Sequence, residues 1–159
     1  MPTVIPLRER AEFCAFFARQ FEAEWPNWYG PGGQGSASED LKAFANPEGD
    51  LPVAVIALDD AGSPIGIAAL KTASISTHTH LSPWATAGYV IPARRRAGVG
   101  ASLLSALLAE ARRLGFHTIY CATVRAVSLL EREGWSQIDA AVHDRERQFI
   151  FARVVPHAA

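Results

Sequence analysis

The apolar and polar positions along the chain fall into stretches of helical and of extended period. "TVIPLRE" (3–9) predicts a first strand, which Pro6 confines to an edge or an end because proline has no N–H for a ladder. From Arg10 to Trp25 the apolar residues Phe13, Phe16, Phe17, Phe21 and Trp25 recur at three- and four-residue spacing, the pattern of an amphipathic helix. "PNWYGPGGQGS" (26–36) is rich in glycine and proline and predicts a loop. Ser36 stands three residues before Glu39, the spacing of a capping box, and predicts a short helix over 37–45. "LPVAVIAL" (51–58), the turn "DDAGSP" (59–64) and "IGIAALKTASI" (65–75) predict a β-hairpin. "WATAGYVI" (84–91) is a further strand. Over 98–114, Val99, Leu103, Leu104, Leu107, Leu108, Ala111 and Leu114 share one broad helical face. Arg112 and Arg113 fall in its last turn and Gly115 just past it, where a helix end favours cations and then glycine. "HTIYCAT" (117–123) predicts a strand, "VRAVSLLERE" (124–133) a short helix ended by Gly134, and "RQFIFARVV" (147–155) a closing strand. Strands and helices alternate in the second half while the centre is a hairpin, without internal repeat or linker. The expected architecture is a single α/β domain, with a central mixed sheet flanked by helices.

Composition narrows the function classes. A chain of 159 residues suits one domain with a proper core, and 49% hydrophobic with 19% charged residues is ordinary for a soluble protein. A formal net charge of −1 provides no bulk attraction for nucleic acid or an anionic membrane, so neither is an expected partner. Cys14 and Cys121 are far apart in apolar patterns and read as buried thiols of a reducing compartment, not a disulfide framework. "MPTVIPLRER" lacks the apolar run of a signal peptide and no stretch approaches a membrane span, so a cytoplasmic location is expected.

The chemistry concentrates in "IPARRRAGVGASLL" (91–104), where Arg94, Arg95 and Arg96 run into Gly98 and Gly100 as the helix begins. The first amides of a helix have no internal partner, and the helix dipole places partial positive charge there. Glycine removes the side chains that would keep an anion from the backbone, and arginine adds charge-assisted hydrogen bonds. The combination is a site for a phosphate or pyrophosphate. A Walker loop is excluded because Ala101 and Ser102 follow Gly100 in place of Lys and Ser/Thr. A dinucleotide fingerprint is excluded because Leu103 stands where the third glycine belongs and 117–124 holds no acid.

"VIPARRRAGVGASLL" resembles the acetyl-CoA-binding segment of the GCN5-related N-acetyltransferases, whose signature is Arg/Gln-x-x-Gly-x-Gly/Ala after a strand ending in Val-x-Pro. Val90 and Pro92 match the strand end, and Arg95, Gly98 and Gly100 match the signature. "TVRAVSLLEREGW" (123–135) resembles a second family segment at Ala126, Glu131, Gly134 and Trp135. The resemblance spans nearly the whole chain and implies a sheet splayed beside the strand over 84–91. It implies that the amides of Arg95, Arg96, Ala97, Gly98, Val99, Gly100 and Ala101 hold the CoA pyrophosphate. The free edge of Tyr89, Val90 and Ile91 would pair with the pantetheine arm, and the Val90 amide would polarise the thioester carbonyl. The implied reaction is direct attack by a primary amine on acetyl-CoA within a ternary complex, without a metal, in a protein that could form a homodimer. Thr123 stands where the family commonly has Asn and could hydrogen-bond the pantetheine or a water.

The pattern then breaks. An alkyl ammonium has a pKa of about 10, so amine attack needs a proton acceptor. Many relatives carry a Glu on the strand before the loop, but no Asp or Glu occurs between Asp60 and Glu110. His78 and His80, two apart and facing one way if extended, are candidates; His80 is preferred for the base as the nearer to the strand, with His78 beside the acceptor. No third ligand accompanies them, which argues against a metal site. Glu24, at the end of the first helix, is the second candidate base. The thiolate-protonating Tyr of many relatives is Leu130 here, which leaves Tyr120 as a candidate acid and a thiol of pKa near 8.5 as a leaving group that needs little help. Trp25, Trp28 and Tyr29 flank the glycine-rich stretch 30–35 and are expected to line an acceptor pocket. The small net charge and lack of an acid cluster argue against a polycationic acceptor such as an aminoglycoside. The missing Tyr and carboxylates keep two rivals open: a non-catalytic CoA-binding regulatory protein, and an acyltransferase with a different acyl group or acceptor.

Overall fold

The computed structural model describes residues 2–143 and 145–157. The strands are β1 (Thr3–Pro6), β2 (Val53–Leu58), β3 (Pro64–Lys71), β4 (Trp84–Val90), β5 (Thr118–Thr123), β6 (Ser136–His143) and β7 (Glu146–Val154). They form one sheet in the order β1-β2-β3-β4-β5-β7-β6. Neighbours are antiparallel except β4 and β5, which run parallel because helix α4 (Val99–Arg113) carries the chain from the end of one back to the start of the other. Helices α1 (Cys14–Glu24), α2 (Pro26–Tyr29) and α3 (Ala37–Phe44) precede β2, and α5 (Val127–Arg132) follows β5. The mixed α/β sheet flanked by helices is the expected one.

Both faces of β2 and β3 are covered, which is why these strands read as continuous apolar runs. Val53, Val55 and Ala57 pack with Leu103, Leu107 and Ala111 of α4. The alternate residues Ala54, Ile56 and Leu58 pack with Phe17, Phe21 and Leu41 of α1 and α3. Gly66 lets α4 lie close on β3, since a Cβ there would stand 3.1 Å from both Leu103 Cδ1 and Val99 Cγ1. A third cluster, Ile75, Trp84 and Ile150, lies under the segment between β3 and β4. The far end of α4 is held by charge: Glu110 accepts from Arg8 Nη1 and Arg113 Nε, each at 2.8 Å, and Arg113 Nη2 also donates to Gly49 O at 2.6 Å.

Several boundaries differ from the sequence expectation, each for a local reason. The first strand ends at Pro6, and 7–13 winds as 3-10 turns because Arg10, at φ −140° and ψ 58°, interrupts helical geometry; α1 therefore begins at Cys14 and not at Arg10. Within the predicted loop 26–36, Pro26 opens the single turn α2, a position where the missing N–H costs nothing. Ser36 caps α3 as expected, accepting from Glu39 N at 3.3 Å. The second hairpin strand stops at Lys71, not at 75, and Ser76–His78 forms a 3-10 turn. The helix predicted over 124–133 starts only at Val127, because Thr123 Oγ1 accepts from Ala126 N at 2.9 Å and holds the intervening residues in a turn. Strand β6 is absent from the sequence reading: most of its side chains are exposed at the sheet edge, so the apolar alternation that marks a strand is missing. Cys14 and Cys121 are both free thiols and belong to the packing on opposite faces of the sheet, which leaves them no route to a disulfide.

Candidate active site

Strands β4 and β5 pair only at Trp84↔Tyr120 and Ala85↔Cys121 and then part. The cause lies in β4. Ile67 faces Tyr89 and Ala69 faces Thr86, so Ala87 and Gly88 together oppose Ala68. Such a bulge bends and twists its strand, and Ala87 takes the left-handed φ of +55° to accommodate it. Meanwhile β5 follows β7 in unbroken antiparallel register to Thr123↔Phe149. One strand turns away while the other is held, and a cavity of about 600 Å³ opens between them. Its walls come from β4, β5, α4 and α5, and Glu24, Trp25 and Gln148 also border it.

The free edge of β4 faces this cavity. Ile91 N donates across to Ile65 O at 2.9 Å, so by alternation the polar groups of Val90 point the other way. The Val90 carbonyl indeed accepts from Arg95 Nε, at 2.8 Å. Beyond it the chain makes a 3-10 turn over Pro92–Arg94, then places Arg96 at φ +63° and Gly98 at φ +85°. Gly98 is the N-cap of α4 and has no side chain to satisfy the first-turn amides, which point out of the helix toward any acceptor supplied from outside. A Cβ on Gly98 would meet nothing within 4 Å, so backbone conformation and not space requires glycine there. At Gly100 the reason is space, since a Cβ would press on Leu129 Cδ2 at 3.1 Å.

The three arginines have separate partners. Arg94 Nη2 lies 3.3 Å from Asp59 Oδ2. Arg95 bridges elements: its guanidinium reaches Glu24 at 3.7 Å and stands over the Tyr89 ring at 5.5 Å. Tyr89 in turn donates to Gln20 Oε1 at 3.0 Å, so the loop, β4 and α1 are linked at the cavity mouth. Arg96 is exposed on the left-handed turn. Among the predicted cofactor contacts, Tyr89, Val90, Arg95, Gly100 and Thr123 line the cavity. Ile91, Arg96, Ala97, Gly98, Val99 and Ala101 lie on the adjoining loop and first helical turn, with the Val99 side chain buried against the sheet.

The other predicted site residues divide. Glu24 and Trp25 line the cavity, and Glu24 is the only carboxylate among the described lining residues. Trp28 is half exposed and covers Gly35, whose Cβ would stand 2.3 Å from the indole nitrogen; the glycine loop wraps this ring rather than the cavity. Tyr29 stacks on Phe21 and donates to Asp40 Oδ2 at 2.6 Å; burial and then that carboxylate push its hydroxyl pKa up. Tyr120 packs against Trp84, with ring centroids 5.8 Å apart, and does not reach the lining. His78 and His80 stack at 5.7 Å although their segment is a 3-10 turn, not extended. His78 is held on both sides, by Thr77 Oγ1 at 2.8 Å and by Asp139 Oδ2 at 2.7 Å, and neither histidine borders the cavity. Leu130 is fully buried and presents only methyl groups. Gln148 and Leu129 line the cavity without having been singled out from the sequence. The alternation of "RQFIFARVV" already put Gln148 on one face with Ile150, but which face borders the site depends on β7 pairing with β5.

The arrangement suits an elongated ligand with an anionic end at the α4 N-terminus, an amide-bearing arm along Val90 and a reactive group between the parted strands. Among the described residues no three His, Cys, Asp or Glu side chains gather as a metal-binding group, and no helix is long and apolar enough to cross a membrane.

Comparison with known proteins agrees with this geometry. Curated sequences contain no match to the chain. Among solved structures, an aminoglycoside 6'-N-acetyltransferase complexed with coenzyme A superposes with a TM-score of 0.77 at 15% identity, covering 99% of each chain. A phosphinothricin acetyltransferase from Sinorhizobium meliloti in complex with AcCoA superposes at 0.75 and 19% identity, covering 97% of this chain and 88% of its own. Arabidopsis thaliana NAA60 in complex with a bisubstrate analogue gives 0.71 at 12% identity, covering 97% and 98%. These likenesses concern the fold. The family profile described as "Acetyltransferase (GNAT) family" matches residues 17–135, a span that holds the parted strands, the glycine turn and α5. By that match, over most of its length, the chain belongs to the GNAT family of acetyltransferases.

Proposed function

We propose that the protein transfers an acetyl group from acetyl-CoA to a primary amine, by direct attack of the amine within a ternary complex. The observation that carries this reading is the two-residue parallel pairing of β4 and β5, which then opens beside a glycine-capped helix N-terminus. The first-turn amides of α4, with the arginine-rich loop, would hold the diphosphate, and the outward edge of β4 would take the pantetheine amides. The Val90 N–H then points at the thioester carbonyl and stabilises the oxyanion that forms on it.

The amine nitrogen attacks the thioester carbon, a C–N bond forms, the C–S bond breaks, and the thiolate departs. The proton that the ammonium form must lose goes to Glu24, directly or through a water. What supports Glu24 over His80 is its place in the lining, where no other described carboxylate occurs. Leu130 provides no proton for the sulfur, and a thiol with a pKa near 8.5 leaves without one. An amine acceptor is favoured by the aminoglycoside and phosphinothricin acetyltransferases among the structural neighbours.

Thiol release from acetyl-CoA, followed across a panel of small amines, amino acids and peptides, tests this reading. Amine-dependent release with an acetylated product of the matching mass is the expected result. Tight CoA binding with no turnover on any amine or alcohol would instead favour the non-catalytic binding protein.

A further inference from the structure

Of the three loop arginines only Arg95 borders the cleft, together with Glu24, Tyr89 and Val90. Its side chain lies along the free edge of β4. Nε donates to Val90 O at 2.8 Å, the guanidinium stands over the Tyr89 ring at 5.5 Å, and Nη2 reaches Glu24 Oε2 at 3.7 Å. Val90 is opposite Gly66, and the next residue carries the hydrogen bond from Ile91 N to Ile65 O, so the Val90 carbonyl points out from the sheet edge. In the reading above, on which this inference rests, that edge takes the pantetheine amides. The arginine side chain and the pantetheine arm therefore compete for one edge. The contacts that hold Arg95 there are individually weak: the side chains of Arg95 and Glu24 are 46% and 42% exposed, and an exposed ion pair at this distance adds little. A diphosphate on the first-turn amides of α4, whose N-cap Gly98 follows closely on Arg95, offers the same guanidinium paired, charge-assisted hydrogen bonds.

We propose that Arg95 is a specificity-determining residue for the acyl donor: it covers the pantetheine edge of β4 and yields that edge only to a thioester that brings a diphosphate. A CoA thioester offsets the displaced contacts by giving the guanidinium its diphosphate. A pantetheine thioester without the nucleotide must break the same contacts and offers the guanidinium nothing in return. Arg94 does not share this part, since it is turned to Asp59 Oδ2 at 3.3 Å, and Arg96 does not border the cleft. The selection precedes the chemistry, so the bonds made and broken are those of the transfer already described.

CoA and pantetheine, titrated against the wild type and Arg95→Ala, test the proposal without knowledge of the acceptor. Calorimetry reads CoA, and ligand-detected NMR reads the weaker pantetheine. Removing the arginine is expected to tighten pantetheine by about threefold, the size of one exposed hydrogen bond and ion pair, and to weaken CoA by about fivefold or more. The opposite signs are the signature. An arginine that only binds phosphate would leave pantetheine unchanged, and one that merely supports the loop would weaken both ligands. Either result overturns the inference while the proposed function stands. So does a gain for both ligands, or no detectable pantetheine binding to either protein. In the wild type, saturating adenosine diphosphate should draw Arg95 from the edge and tighten pantetheine by about the same factor, since coupling between two ligands is reciprocal. Its absence overturns the inference, as does an equal effect in Arg95→Ala, and the wild-type measurement decides even where the variant does not fold. Absence of binding by CoA itself overturns both readings.

Discussion

Glu24 illustrates how much one side chain's place in the fold matters. As an acid at a helix end it has the sequence signature of a solvated surface group, yet it borders the cavity and sits 3.7 Å from Arg95. Glu24→Gln keeps the size and removes the basicity. Its kcat is expected to fall by about 10²-fold or more, whereas His80→Ala should stay within about twofold of wild type. Equal losses in the two variants would reject the assignment. Glu110 is a different case, a carboxylate that works for stability. Burial alone would raise its pKa, but hydrogen bonds from Arg113 and Arg8 outweigh it and hold the carboxyl below its usual value. A group whose pKa falls on folding contributes stability above its unfolded value of about 4.3, and that stability is lost as pH drops through the folded one. Glu110→Gln should therefore cost about 2 kcal/mol at neutral pH, a figure reduced because Arg113 is partly exposed, and the gap to wild type in urea titrations should narrow below about pH 4.

At the scale of elements, the turn that opens α4 is where local sequence and local structure agree most closely. Gly98 takes a left-handed φ that costs other residues about 1–2 kcal/mol, while the space around it is open. Gly98→Val is expected to retain the fold and lose at least tenfold in CoA affinity by calorimetry, because the amides of the first turn are re-aimed rather than blocked. The neighbouring bulge was not legible in the same way. Nothing in "WATAGYV" announces that Ala87 and Gly88 will face a single residue; that follows from the register β3 imposes. Strand β6 escaped for a related reason, since an edge strand with both faces largely exposed carries no alternation to read.

For the molecule as a whole, the cleft joins elements far apart in the chain, from Glu24 at the end of α1 to Gln148 on β7. A ligand that binds only when all of them are assembled stabilises the folded state by about 2.7 kcal/mol at a hundred times its Kd. For a chain of this size that corresponds to a rise in Tm of about 5–10 °C. Thermal melts with and without CoA should show this rise in the wild type and a much smaller one in Gly98→Val at the same CoA concentration. Melts that coincide with and without CoA would contradict the site.

The amino-acid sequence alone determined the α/β class, the order of most elements and the glycine turn that opens α4, because periodicity, helix capping and glycine's backbone freedom act over a few neighbouring residues. The tertiary structure decided which side chains share the cleft. It set Glu24 at the border and left His78, His80 and Tyr120 outside the lining; it parted β4 from β5 through a bulge and left them paired only at Trp84↔Tyr120 and Ala85↔Cys121. Those outcomes depend on strand register and on contacts between residues tens of positions apart, and no local pattern along the chain encodes them.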